Sequence, residues 1–95
     1  MSEMLTGSLI RKENVEVAQF DGEWILLELD KNTFTKVNEV GGYVWSIIPD
    51  CPTAAHIVDR VHAEYGADRA VVERNVATFI NKLVEIGLIS FEYSG

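Results

Sequence analysis

Leu26-Leu27-Glu28-Leu29-Asp30-Lys31-Asn32-Thr33-Phe34-Thr35-Lys36-Val37-Asn38-Glu39-Val40-Gly41-Gly42-Tyr43-Val44-Trp45 is the stretch that decides the fold. It reads as a strand, a turn, a second strand ending at Asn38, and a helix that carries aromatics. Asp30-Lys31-Asn32 supplies the turn, since Asn and Asp bond their own backbone and tolerate left-handed geometry. Asn38 is a good helix N-cap, and Glu39 then sits at the positive end of the helix dipole. Val40, Val44, Ile47 and Ile48 recur at helical spacing and form an apolar face. Gly41-Gly42 lowers the intrinsic propensity of this helix. Close approach of the helix to the sheet is the expected reason.

Upstream, residues 15–20 read as a strand with Val15 and Val17 on one face and Ala18 and Phe20 on the other. Asp21-Gly22 is a strong hairpin signal. Residues 24–29 follow as a strand apolar on nearly both faces, which predicts a central, largely covered position. Residues 33–37 make a third strand, shorter and more polar, in the manner of an exposed edge. Residues 1–13 show no clear period and read as a loose N-terminal arm.

Downstream, Pro49 stops the first helix. Thr53 caps a second, with Ile57, Val58, Val61 and Tyr65 as its stripe, and Gly66 ends it. Asp68 caps a third and longest helix that runs to about Ile86. Its core stripe is Val72, Val76, Phe79, Ile80 and Leu83, and Gly87 terminates it. Residues 88–93 alternate loosely, as a short extended tail would. Three strands in an antiparallel meander followed by three helices make an α+β, winged-helix-like domain spanning residues 1–95. A fold of that kind does not fix a function.

Composition narrows the classes. A chain of 95 residues makes one domain. At this size it buries roughly 60–65% of its unfolded surface, enough for a core without staples. Cys51 is the single cysteine, which excludes an internal disulfide and suits a reducing compartment. The N-terminus lacks a basic region followed by a long apolar run, and no apolar stretch nears the ~18 residues of a membrane span. A cytoplasmic protein with no membrane partner is expected. The formal charge of -7 argues against nucleic acid, whose phosphates require concentrated Lys and Arg. The third helix carries Arg69, Arg74, Asn75, Asn81 and Lys82, but not on one face, as a recognition helix would.

Catalytic and metal sites fare no better. His56 and His62 lie on different faces of their helix, and Asp59 and Glu64 do not complete a ligand set, so no metal is expected. Cys51 has only His56 near it in sequence as a base, and it reads as an ordinary loop residue. Gly41-Gly42 has neither the spacing nor the lysine of a phosphate loop. Trp24 and Trp45 read as core or boundary residues. No cofactor and no enzymatic activity are expected. What remains is the edge carrying Thr33, Phe34, Thr35, Lys36 and Val37. Its unpaired N–H and C=O groups can accept an extended peptide as an extra strand. An ordinary edge blunted by Lys36 is the simpler reading on the residues alone.

From about residue 17 to residue 89 the chain resembles the PqqD-like family, the recognition elements of ribosomally made, modified peptides. The resemblance lies in Trp24-Ile25-Leu26-Leu27-Glu28-Leu29, Asp30-Lys31-Asn32, Phe34, Val37-Asn38, Gly41 and Trp45. It continues through Thr53, Tyr65-Gly66 and Phe79…Leu83…Gly87-Leu88-Ile89. Three departures stand out. Asn32 replaces a common Gly, Phe34 a common Tyr, and Lys36 a small residue. The resemblance implies that the leader segment of a precursor peptide docks as a strand against residues 33–37, in a groove completed by the third helix. Its strand side is Thr33, Phe34, Thr35, Lys36 and Val37. Its helix side is drawn from Arg69, Val72, Glu73, Val76 and their neighbours, with the flank left open. Lys36, Arg69 and Arg74 are candidates for pairing with leader acids.

The same resemblance implies a chaperone-like role that concentrates the leader near a separate processing enzyme. That enzyme is the leader-cleaving protease if the protein resembles the stand-alone leader-binding (B1) subunit of lasso-peptide systems. It is a radical-SAM maturase if the likeness is to pyrroloquinoline quinone biosynthesis. The short arm and discrete module favour the lasso kind.

Overall fold

The computed structural model describes residues 7–51 and 53–92. Its elements are β1 (Ser8–Arg11), β2 (Val15–Phe20), β3 (Glu23–Glu28), β4 (Thr33–Val37), α1 (Glu39–Ile47), α2 (Ala54–Tyr65), α3 (Arg69–Glu85) and β5 (Ile89–Glu92). The winged-helix-like α+β architecture is present. β2, β3 and β4 form the antiparallel meander in that spatial order.

The turns follow their residues. β2 and β3 close at Phe20↔Glu23 over Asp21 (φ 58°) and Gly22 (φ 82°), the pair of left-handed residues that a two-residue hairpin needs. β4 returns from β3 after Asn32 (φ 58°), which takes the left-handed geometry expected of it. Asn38 caps α1 by accepting the Gly41 N–H at 2.8 Å. Thr53 caps α2 through His56 N–H at 3.3 Å, and Gly66 closes it at φ 68° by donating to the His62 carbonyl at 2.9 Å. Asp68 holds the N-cap position of α3 without a side-chain cap bond.

Two expectations change. The arm of residues 1–13 is not loose throughout: Ser8–Arg11 forms β1 and pairs with β5 in a second, two-stranded sheet, in the register Leu9↔Phe91. Leu9 is buried there, and Lys12 N–H donates to the Leu88 carbonyl at 2.9 Å. Arg11 adds a tie to α1, donating to the Trp45 carbonyl at 3.2 Å with its guanidinium 5.2 Å from the indole centre. The rest of the arm before residue 7 lies outside the described residues, as does Tyr93 of the expected tail. The second change is one of degree: the central strand is buried on its inner face at Leu26 and Glu28 and half-buried on its outer face at Ile25 and Leu27. Leu26 is wholly buried, contributing about 2 kcal/mol of burial, whereas Leu29 is 53% exposed just past the strand end. Glu28 shares the inner face at 5% exposure, with the Lys12 ammonium 3.5 Å from its Oε2 and the Thr33 hydroxyl donating to its Oε1 at 3.4 Å.

The core runs from Leu26 through Val44, Trp45, Ile47 and Ile48 of the first helical segment to Ile57, Val58 and Val61 of α2 and Val72, Val76, Ile80 and Leu83 of α3. The double glycine makes α1 fit. A Cβ on Gly42 would overlap the indole of Trp24, and one on Gly41 would lie 2.9 Å from the Phe79 ring. The helix therefore approaches both the sheet and α3 closely at these positions.

Candidate functional site

β4 is an outer member of the meander, so one side of its backbone has no ladder partner among the described residues. Strand parity decides which groups stand there. Leu29 N–H donates to the Asn14 carbonyl at 3.0 Å, which extends the β2–β3 ladder and aims the odd-numbered backbone groups of β3 at β2. The even-numbered groups then face β4, in the register Trp24↔Val37, Leu26↔Thr35 and Glu28↔Thr33. Bonded pairs alternate in an antiparallel ladder, so Thr33, Thr35 and Val37 spend their backbone groups on β3. Phe34 and Lys36 aim theirs at the open edge. The side chains divide the same way: Thr35 and Val37 are half-buried on the inner face, Phe34 and Lys36 exposed on the outer.

Two clefts run beside this edge. The smaller, about 190 Å³, is bounded by Lys36, Val37, Asn38, Phe79 and Lys82. The larger, about 390 Å³, lies among α1, α2 and α3. Val40, Val44, Val61, Tyr65, Val72 and Val76 give it an apolar wall. Asn38 and Phe79 border both clefts and join them into one groove. Asn38 is held by its capping bond, and the Phe79 ring by the absence of a side chain at Gly41. Tyr65 stacks edge-on against Tyr43 at 5.6 Å. Burial first, and then the nearby Glu39 carboxylate, push its phenol above the usual range, so it remains an uncharged wall.

The expected site residues separate into two groups. Lys36, Val37, Val72 and Val76 border the groove, whereas Thr33, Phe34 and Thr35 line neither cleft and belong to the edge alone. Arg69 and Glu73 also line neither: Arg69 pairs with Asp59 of α2 and with Glu73 at 3.9 Å. Arg74 is exposed and lies outside both clefts. The flank of α3 that faces the clefts carries Val71, Val72, Asn75, Val76, Phe79 and Lys82, neighbours on the helix at spacings of three and four. Sequence reasoning missed Asn38, Val71, Asn75 and Lys82 as groove residues and placed Phe79 in the core, where it packs only in part. The signal was available, since Val71, Asn75, Phe79 and Lys82 lie one position before Val72, Val76, Ile80 and Leu83 of the core stripe.

Elsewhere the chemistry is sparse. Among the described residues no group of three or more His, Cys, Asp or Glu could hold a metal ion. Cys51 is buried, with the Arg60 guanidinium 3.5 Å from its sulfur. His62 Nδ1 donates to the Ala67 carbonyl at 2.7 Å and serves the end of α2. No helix among the described residues is long and apolar enough to cross a membrane.

A family model described as coenzyme PQQ synthesis protein D (PqqD) matches residues 23–89, well over half of the chain. The chain belongs to the PqqD family. The matched span contains the open edge, both clefts and all of α3. Among solved structures, it is similar to TbiB1 in complex with the TbiA(beta) leader peptide, with 32% identity and a TM-score of 0.72 over 90% of this chain and 98% of that one. A lasso peptide synthetase B1 complexed with its leader peptide shares the fold, at 22% identity and a TM-score of 0.73 over 87% of this chain and 98% of that one. A search of curated proteins finds no match.

Proposed function

We propose that this PqqD-family protein binds the leader segment of a ribosomal precursor peptide and presents it to a separate processing enzyme. The observation that carries the reading is the juxtaposition of an open strand edge with an apolar groove that shares Lys36 and Val37 with it. The leader enters as a strand beside β4, bonded to the backbone of Phe34 and Lys36. Alternate leader side chains then point inward, over Val37 and Phe79, and apolar ones anchor in the groove. Support comes from the relative at 32% identity, which was solved with a leader peptide bound.

The protein itself performs no bond chemistry in this account. It holds the leader so that the adjoining core segment stays at high effective concentration near the enzyme. The lasso-type leader protease is the favoured partner, because the 32%-identical relative was captured with a leader and a second structure of the same fold is a lasso peptide synthetase B1. The family description favours a second reading, in which the partner is a radical-SAM maturase of the coenzyme PQQ kind.

The test is fluorescence anisotropy of labelled leader peptides from the small open reading frames beside this gene, with random duplex DNA as control. Saturable binding of one leader at micromolar concentration or below, with no DNA binding, is the expected result. DNA binding without leader binding would overturn the reading. The pathway of the bound leader also chooses between the protease and the maturase.

A further inference from the structure

The charge of the groove runs against that of the chain. The protein carries 15 Asp and Glu against 8 Lys and Arg. Yet among the described residues no acidic side chain lines either cleft, the nearest effect being that of Glu39 on Tyr65, and the smaller cleft is bordered by two lysines, Lys36 and Lys82. Lys82 comes from α3, and Lys36 borders the cleft from the edge of β4 with its side chain on the outer face beside Glu23; Val37 and Phe79 lie between the two positions. Of the six other cations, Lys31 and Arg74 line neither cleft, and the remaining four are occupied. Arg11 lies over Trp45, Lys12 serves Glu28 and Asp30, Arg60 contacts Cys51, and Arg69 is held by Asp59. Lys82 has no ion pair among the described residues. Lys36 has one, with Glu23 at 3.5 Å, and both of its members are more than half exposed. A pair of that kind is weak and easily exchanged.

Resting on the leader-binding reading above, we propose that Lys82 selects an acidic residue in the leader, with Lys36 as a second cation at the edge of the same cleft. That residue lies in the segment crossing the smaller cleft, a few positions from the apolar anchor seated in the larger one. The two clefts meet at Asn38 and Phe79, so a single extended segment spans both. Its carboxylate reaches Lys82 at the rim, while its neighbours in the strand alternate between the Phe79 floor and the outer face. The lysines also repel leaders with a basic residue at this point, which makes them a filter as well as a contact.

A displayed library of random peptides, selected on the intact protein and on its Lys82→Glu and Lys82→Glu/Lys36→Glu variants, tests this directly. Lys82 is exposed at a helix surface, and circular dichroism checks that the variants remain folded. The wild type is expected to enrich peptides with Asp or Glu at a fixed spacing from an apolar residue. The variants are expected to keep the apolar preference and turn the acidic position basic. An acidic peptide from the wild-type selection should bind Lys82→Glu about 5- to 10-fold more weakly, and its Glu→Lys counterpart should recover the loss. Enrichment of apolar peptides with no acidic preference, or with the same preference whatever stands at 82, would overturn the lysine filter and leave the groove intact. Enrichment of nothing would overturn both.

Discussion

At the scale of the residue, the parity of β4 makes adjacent positions behave differently. Lys36 and Thr35 are neighbours, yet the Lys36 N–H stands at the open edge and the Thr35 N–H belongs to the β3 ladder. Proline at Lys36 therefore removes a donor that only the leader uses, and an edge position tolerates it. We expect Lys36→Pro to retain the wild-type unfolding midpoint closely and to weaken leader binding by about tenfold or more, from the lost bond and the lost ammonium. Proline at Thr35 strips a ladder bond instead and should lower stability by about 1–3 kcal/mol. Denaturant unfolding read beside anisotropy separates the two. Equal effects of both substitutions on stability and on affinity would shift the register by one residue. Asn32 and Asn38 show how much single residues contribute locally, one by its left-handed turn and the other by its cap.

Elements were legible where their signal is local. The hairpin at Asp21-Gly22, the Asn38 and Thr53 caps and the Gly66 stop each depend on residues within one turn, and each stands where the sequence placed it. β1 was not legible, because a strand of four residues declares itself through its partner, and that partner is at the far end of the described chain. The helix side of the groove was half legible. Val72 and Val76 follow from the apolar stripe, but whether Arg69 and Glu73 face the groove or α2 depends on how two helices pack, and Asp59 takes Arg69 toward α2.

The loop between β1 and β2 gives an element-scale test of its own. Lys12 and Asn14 both donate to the Asp30 carboxylate, at 3.0 and 3.3 Å, and tie this loop to the turn before β4. Lys12, chiefly by its hydrogen bond, holds the Asp30 carboxyl below its ordinary range. A carboxyl whose folded value is depressed stabilises the fold above its unfolded value, near 3.9, and that contribution is lost as pH falls through the lower folded value. Asp30→Asn should therefore unfold more readily than wild type at neutral pH. The difference between the two proteins should shrink as pH falls through the acid limb, followed by thermal melts from neutral to strongly acid buffer. A difference that stays constant with pH would remove the carboxylate from the account.

For the whole molecule, a chain of net charge -7 carries a groove that no acidic residue lines among those described, and the open edge lies along that groove. Net charge alone spoke against nucleic acid as an expectation but hid this reversal, because composition has no geometry. The resemblance to the PqqD family supplied the use of the edge, which the residues by themselves left open between a docking site and a blunted strand. Strand addition at β4 is the central claim, and amide hydrogen exchange measured with and without bound leader tests it most directly. The account predicts that the Phe34 and Lys36 amides exchange freely in the protein alone and become protected when leader binds, while Thr35 is protected in both. Leader binding that leaves the Phe34 and Lys36 amides as exposed as before would contradict it.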